Sequence, residues 1–431
     1  MSVNPFSTVC ANQGIDLFSV PNTDRTLAMG KWNHYAPAET ITRDKILFYI
    51  PAGGDYIALE KTQLHFTVQI RKPDGTTLGA DQKVGFVNFP LAALIKQVTL
   101  HLNGTLVCSQ TDTSAYRGYV GALTSYTQQA QDTALSAGLW ARDTPGAMES
   151  YDVMTATGPN RGFVERATYT PLWVNFGLHG VLHTELFQSD RYLPDGVSIK
   201  LKLDLNPDAF VLMSENQNEI VRIVDAQLSL FHVKASPDEE GVVHSATPKT
   251  VKFPVRPLII KTREGLRSTK LQDVFVGDRP NRIFVAFVDS EGYNVSYSHN
   301  PFHFPTSMLS AIKVVVDGIE MPAPQYKIAD GWVAELYYNT LGAIAGTVNQ
   351  AMGLVSITRK EFANGYGVMV FDLTPAGNAA SEFAHPQYKG IVNIYVDFAV
   401  ATTKAYTALI GGELERTVQV DAQRQLVYDI P

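Results

Sequence analysis

Apolar and polar residues alternate with a period of two in several stretches of the chain, the pattern of a strand with one face buried and one wet. Leu64, Phe66, Val68 and Ile70 fall on one face, with His65, Thr67, Gln69 and Arg71 on the other, before the turn Lys72-Pro73-Asp74-Gly75. Val98, Leu100 and Leu102 alternate with Thr99 and His101 and run into Asn103-Gly104, a pair that tolerates the positive φ of a tight hairpin. Val197, Ile199, Leu201, Leu203 and Leu205 follow Leu193-Pro194-Asp195-Gly196. In the second half, residues 281–289 and 311–317 read as more fully buried strands, 392–398 alternates, and 414–429 reads as a closing hairpin. Helical spacing is confined to Tyr116, Tyr119, Leu123 and Tyr126, and to Val333, Leu336, Tyr337, Thr340 and Ile344. The pattern predicts a mostly β protein with two short helices.

The two halves repeat one order of features, which suggests an old internal duplication. A strand leads to Asn103-Gly104, an aromatic helix near Tyr116 and a glycine-led strand at Gly196. The same succession recurs at Asp317-Gly318, Trp332 and Gly390. Between the halves lies Ser236-Pro237-Asp238-Glu239-Glu240-Gly241, polar and acidic, which no sheet interior accepts. Each half can supply the strands of a two-sheet sandwich with Greek-key connections. The expected fold class is therefore all-β, two tandem jelly-roll sandwiches. The expected division is an arm over 1–40, a first jelly roll over 41–235, a linker over 236–250 and a second jelly roll over 251–431. The arm would anchor through Phe6, Leu17, Phe18, Trp32 and Tyr35.

Composition narrows the function. Of 431 residues 45% are hydrophobic and 18% charged, enough apolar matter for large cores, and the net charge of −7 gives no global attraction for a polyphosphate. Specific nucleic-acid binding by the free protein is not expected. Cys10 and Cys108 make no CxxC pair and read as reduced thiols. No basic segment followed by an apolar stretch opens the chain, so synthesis inside the cell is expected. The uncharged stretch from Leu336 to Thr358 has the length of a membrane span but carries Asn339, Thr347, Asn349, Gln350 and three glycines, and reads as a loop or partly helical crossover.

Motifs for nucleotide, serine-esterase or zinc-protease chemistry are missing. His179 and His183, followed by Glu185, have the i, i+4 spacing of a helical metal pair, but Gly177 and Gly180 weaken that helix. His299 and His303 share the spacing with Pro301 between them. The sequons at Asn103 and Asn294 read as chance matches without a secretory leader. The expectation is no enzyme, with no catalytic, cofactor-binding or metal-binding residue.

Particular strings then carry a resemblance. DLFSVP at 16–21, LFQSDRYLPDG at 186–196 leading into VSIKLKL, DAFVLM at 208–213, NPFHF at 300–304 and NGYGVMVFDLTP at 364–375 resemble the major capsid protein of adintoviruses and related Polinton-type elements. The matches run in order through both halves. The resemblance implies a hexon-like double jelly roll, a homotrimer of pseudo-sixfold outline, and an icosahedral shell around double-stranded DNA. Its implied partners are neighbouring trimers and penton and cement proteins, its location the virion capsid, and membrane contact is left open. A tandem sandwich that binds or cleaves carbohydrate is the competing class. Large aromatics with a polar tip are favoured at interfaces, so Tyr116, Tyr119, Tyr126, Trp332, Tyr337 and Tyr338 are the candidate trimer contacts.

Overall fold

The computed structural model describes residues 20, 25–79, 83–110, 112–153, 158–169, 174–236, 250–266, 271–328, 333–346, 356–381, 383–399 and 404–428. The expected arm anchors Phe6, Leu17 and Phe18, the thiol Cys10, and nearly all of the expected linker lie outside these residues.

Among the described residues, eight strands carry the two main sheets of the first half: β1 (Leu27–Tyr35), β2 (Lys45–Ile50), β3 (Tyr56–Arg71), β4 (Ile95–Leu102), β5 (Thr105–Gln110), β6 (Phe176–Val181), β7 (Ile199–Leu205) and β8 (Ile220–Ala235). They pair into one sheet of order β1-β8-β3-β6 and a second of order β2-β7-β4-β5, all antiparallel. The second half repeats this with β9 (Leu258–Leu266), β10 (Leu271–Asp278), β11 (Arg282–Asp289), β12 (Leu309–Val316), β13 (Ile319–Glu320), β14 (Met369–Asp372), β15 (Lys389–Phe398) and β16 (Tyr406–Glu413). Its sheets run β9-β16-β11-β14 and β10-β15-β12-β13. First, eighth, third and sixth strands make one sheet in both halves; second, seventh, fourth and fifth make the other. That is a jelly roll twice over, and no sheet among the described residues mixes strands of the two halves.

Alternation positions each core. Ile46, Phe48 and Ile50 of β2, Leu64, Phe66 and Val68 of β3, and Ile199, Leu201 and Leu203 of β7 are all buried between the first two sheets. Each such side chain contributes about 1.5–3 kcal/mol on leaving water. The duplicated turns fold alike as well. Asn103 (φ 45) and Asp317 (φ 50) adopt the left-handed conformation and are followed by Gly104 (φ 81) and Gly318 (φ 85). Asn103 donates its N–H to the Ser198 carbonyl (3.0 Å) and accepts the Ser198 N–H on Oδ1 (2.8 Å); Asp317 does the same with Ile391 (3.0 and 2.8 Å). One clasp thus ties the β4–β5 and β12–β13 hairpins to their neighbouring strands.

Two expectations change. Residues 27–35 belong to the first sandwich as edge strand β1 rather than to an arm, because their backbone pairs with β8 throughout. Helix is also more frequent than two segments: besides α1 (Ser114–Ser125) the described residues include α2 (Arg161–Tyr169), α3 (Val333–Ala345) and α4 (Arg359–Ala363), with other short helical turns such as Gln128–Asp132. All lie in the excursions between strands. A ribbon of Val251–Val255, Arg416–Val420 and Leu426–Tyr428 closes the chain, and its tip reaches the first half, where the Arg424 carbonyl accepts from Asn103 Nδ2 (2.9 Å).

Asn103→Ala and Asp317→Ala are each expected to lower unfolding free energy by about 1–2 kcal/mol in urea denaturation, the cost of a lost clasp hydrogen bond. The Asn103 variant should lose more, since it also leaves the Arg424 carbonyl without its Nδ2 donor; two neutral variants would contradict the clasp.

Candidate assembly surface

On α1, Tyr116 and Tyr119 stand three residues apart and so share one face, which is turned inward: their relative exposures are 2% and 0%. Tyr119 stacks on Phe302 with ring centroids 4.2 Å apart and planes within 6°. Tyr116 stacks on Tyr293 at 6.1 Å and meets Phe210 and Phe302 edge-on at 5.7 and 5.8 Å. Phe302 and Tyr293 belong to the second half, so these tyrosines join the two sandwiches of one chain. That corrects the expected trimer contact for Tyr116 and Tyr119, because a side chain without exposed surface has none to offer a neighbour. Tyr126, the residue capping α1, is half-buried against His183 at 6.0 Å. Tyr337 donates its hydroxyl to the Ile357 carbonyl (3.0 Å) and leans on Phe362. Tyr338, 57% exposed, keeps the surface an interface requires. Trp332 lies outside the described residues.

Around the stack runs a buried polar seam. Arg166 of α2 is fully buried, donates Nε to the Phe86 carbonyl (2.9 Å) and pairs through Nη2 with Asp143 Oδ1 (2.7 Å). Asn300 of the second half donates to Asp143 Oδ2 (3.0 Å) and to the Met148 carbonyl (3.1 Å), and Tyr366 donates its hydroxyl to the Asp143 carbonyl (2.8 Å). Arg142 reaches Glu361 (2.7 Å) and Ser356 Oγ (2.6 Å). Glu361 also closes the capping box of α4 with Thr358. Glu149 takes the Asn300 N–H (2.8 Å) and meets His303 Nδ1 (2.6 Å). Residues 142–149 of the first half are therefore held on several sides by 300–303 and 356–366 of the second.

Sequence reasoning missed Asp143, Arg166 and Asn300. The string NPFHF marked the place of Asn300 and Phe302; nothing local marks Arg166, whose partners come from distant segments.

His179 and His183 have separate surroundings. His179 lies on strand β6, with Nε2 3.0 Å from Gln63 Oε1 and its ring beside His65. His183 lies beyond that strand, buried against Phe89 and Tyr126. Glu185 pairs with Arg117, and although burial alone would raise it, that guanidinium holds the carboxyl below its ordinary value. Cys108 donates its thiol to Glu185 (3.1 Å), and burial pushes the thiol pKa far up, which favours the thiol over the thiolate. Among the described residues no three His, Cys, Asp or Glu side chains converge as metal ligands, and no helix is long and apolar enough to cross a membrane.

What remains for contact with other chains is outer surface. Val276 and Ile391 oppose each other on β10 and β15 at 64% and 42% exposure, and Ile319, at 66%, follows the Asp317-Gly318 turn. Leu27, Met29 and Trp32 are exposed on β1, whose outer edge pairs with no strand among the described residues.

No family model matches the chain. An uncharacterized protein of Caenorhabditis elegans is 20% identical over 395 residues, covering 87% of this chain and 90% of that protein. Among solved structures, a chain of the Sputnik virophage superposes with a TM-score of 0.68 at 12% identity, covering all of this chain and 94% of that one. The mavirus major capsid protein gives 0.54 at 12% identity (100% and 97% covered), and the Faustovirus major capsid protein 0.57 at 9% (93% and 92%). The chain has the fold of viral major capsid proteins. The double jelly roll expected from the strand pattern is thus the observed architecture, shared with those proteins from end to end.

Two outcomes follow for this double jelly roll. Tyr119→Ala should behave as a core truncation and cost about 3–5 kcal/mol in chemical denaturation, whatever the association state. A near-neutral Tyr119→Ala would put the tyrosine outside the core. Burial, with Arg117 adding to it, pushes the His183 pKa down to about 4, below the ordinary 6.5. The folded state then favours the neutral ring, so its contribution is whole above pH 6.5 and is lost as pH falls toward 4. By pH 5 the loss should reach about 2 kcal/mol relative to His183→Gln, which takes up no proton. Parallel stability profiles for the two proteins would contradict this.

Proposed function

We propose that the chain is a major capsid protein of the adintovirus and Polinton type, a non-enzymatic subunit that forms homotrimers of pseudo-sixfold outline. Such trimers would tile an icosahedral shell around double-stranded DNA. The observation that carries this reading is the duplication: two jelly rolls with the same strand order, joined through a buried seam inside one chain. Three such chains around one axis present six similar walls, so a near-hexagonal lattice forms without six separate subunits. The chain then divides into sandwiches spanning about 25–235 and 251–428. A relative in an animal agrees with a capsid gene carried by a genome-resident element.

The six-residue set of aromatic contacts is replaced in this reading. Tyr338 stays a candidate, joined by Val276, Ile391 and Ile319 and by the open edge of β1. Exposed apolar side chains standing together on a strand pair are what a subunit interface buries. Neighbouring trimers, a penton protein and cement proteins are the proposed partners and the virion capsid the proposed location, after synthesis inside the host cell.

Light scattering and sedimentation on the purified chain test this directly. The expected particle has three times the 47.3 kDa of one chain and a hexagonal outline in negative stain. A monomer that stays monomeric at high concentration would overturn the reading. Val276→Asp with Ile391→Asp should shift the population toward monomer while leaving the β spectrum unchanged.

A further inference from the structure

A cavity of about 430 Å³ lies at the end of the first sandwich where β3 stops and β8 begins, roofed by residues 41–43. Its charge is unlike that of the chain. Arg43, Arg71 and Arg222 line it against one carboxylate, Asp208, so it is locally positive on a protein of net charge −7.

The three guanidinia are not equivalent. Arg43 is spent on structure: its Nε and Nη2 both donate to Asp208 Oδ1 (2.9 and 2.7 Å), which also accepts the Val221 N–H (2.9 Å). Arg71 is only aimed. Its Nε donates to Gln69 Oε1 (3.0 Å), which orients the guanidinium, and among the described residues no acid pairs with it. Arg222 likewise has no acidic partner there, and the register brings the two arginines together. Arg71 opposes Ile220 and Gln69 opposes Arg222 across the β3–β8 ladder, so Arg71 and Arg222 project from the same face.

Two unpaired guanidinia on one face, one of them pre-oriented, match a tetrahedral oxyanion, whose oxygens accept the forked N–H groups in pairs. The remaining lining is mostly aliphatic, from Ile41, Ile220, Val221 and Ile223 with Thr42 and Gly75, and contains no aromatic ring. A nucleobase would therefore find no stacking platform, which disfavours nucleic acid as the occupant. We propose that this cavity binds a sulfate or phosphate ester on a small sugar, with Arg71 and Arg222 holding the oxyanion and Ile220, on their face of the ladder, against the carbon skeleton. The proposal does not depend on the capsid reading.

Isothermal titration of the full chain with a sulfated disaccharide and, separately, with a hexose phosphate tests it, the tighter of the two identifying the ester. Saturable binding by at least one is expected. Arg71→Ala with Arg222→Ala should weaken it roughly tenfold or more, because charge-assisted hydrogen bonds to the anion are lost. The exposed Arg263→Ala serves as control and should leave binding unchanged. Both variants alter outward-facing side chains, and circular dichroism should show wild-type folding. The proposal is overturned if neither ester binds, if the double variant binds as wild type does, if the control loses as much, or if an unstructured oligonucleotide competes better than either ester.

Discussion

The arrangement depends on one buried charge pair. Arg166 and Asp143 are both fully removed from water, a state that costs several kcal/mol per ion unless every donor and acceptor is met. Within the first half the arginine finds the Phe86 and Ala141 carbonyls and one oxygen of Asp143. The other oxygen of Asp143 is met by Asn300, which belongs to the second half. Completing the pair therefore requires the two sandwiches to dock, and the docked state is the one in which the charge is tolerated.

The aromatic stack makes the same demand in apolar form. Tyr116 and Tyr119 would leave a large ring surface wet if the second half withdrew, since Phe302 and Tyr293 cover them. Charge satisfaction gives the seam its register, and ring burial supplies much of its favourable free energy. Together they turn two copies of one sandwich into a single block. The proposed shell role would draw on that property, because lattice contacts on one sandwich would be transmitted to the other only through a joint that does not give.

The architecture was legible because sheets announce themselves locally. The alternation at 197–205, the hairpin pairs at 103–104 and 317–318 and the buried run at 281–289 each state their element within a few residues, and the shared order of turn, helix and strand exposed the duplication. The seam was not legible for the complementary reason. Helical spacing showed that Tyr116 and Tyr119 share a face but not what that face meets. Arg166 sits in the short helix Arg161–Tyr169, where a charged residue ordinarily faces solvent, and its burial follows from two carbonyls and one carboxylate in other segments of the chain. Residues 27–35 looked like an arm because an edge strand that is wet on most of its length lacks strong alternation.

The account is tested most directly by hydrogen exchange followed through urea unfolding, with peptides from β3 and β7 reporting on one sandwich and peptides from β11 and β15 on the other. It predicts a single midpoint for both sets in the wild-type chain. It also predicts that Asp143→Asn with Phe302→Ala separates them, because the joint then loses its charge pair and its stack. Two midpoints in the unaltered protein would contradict it.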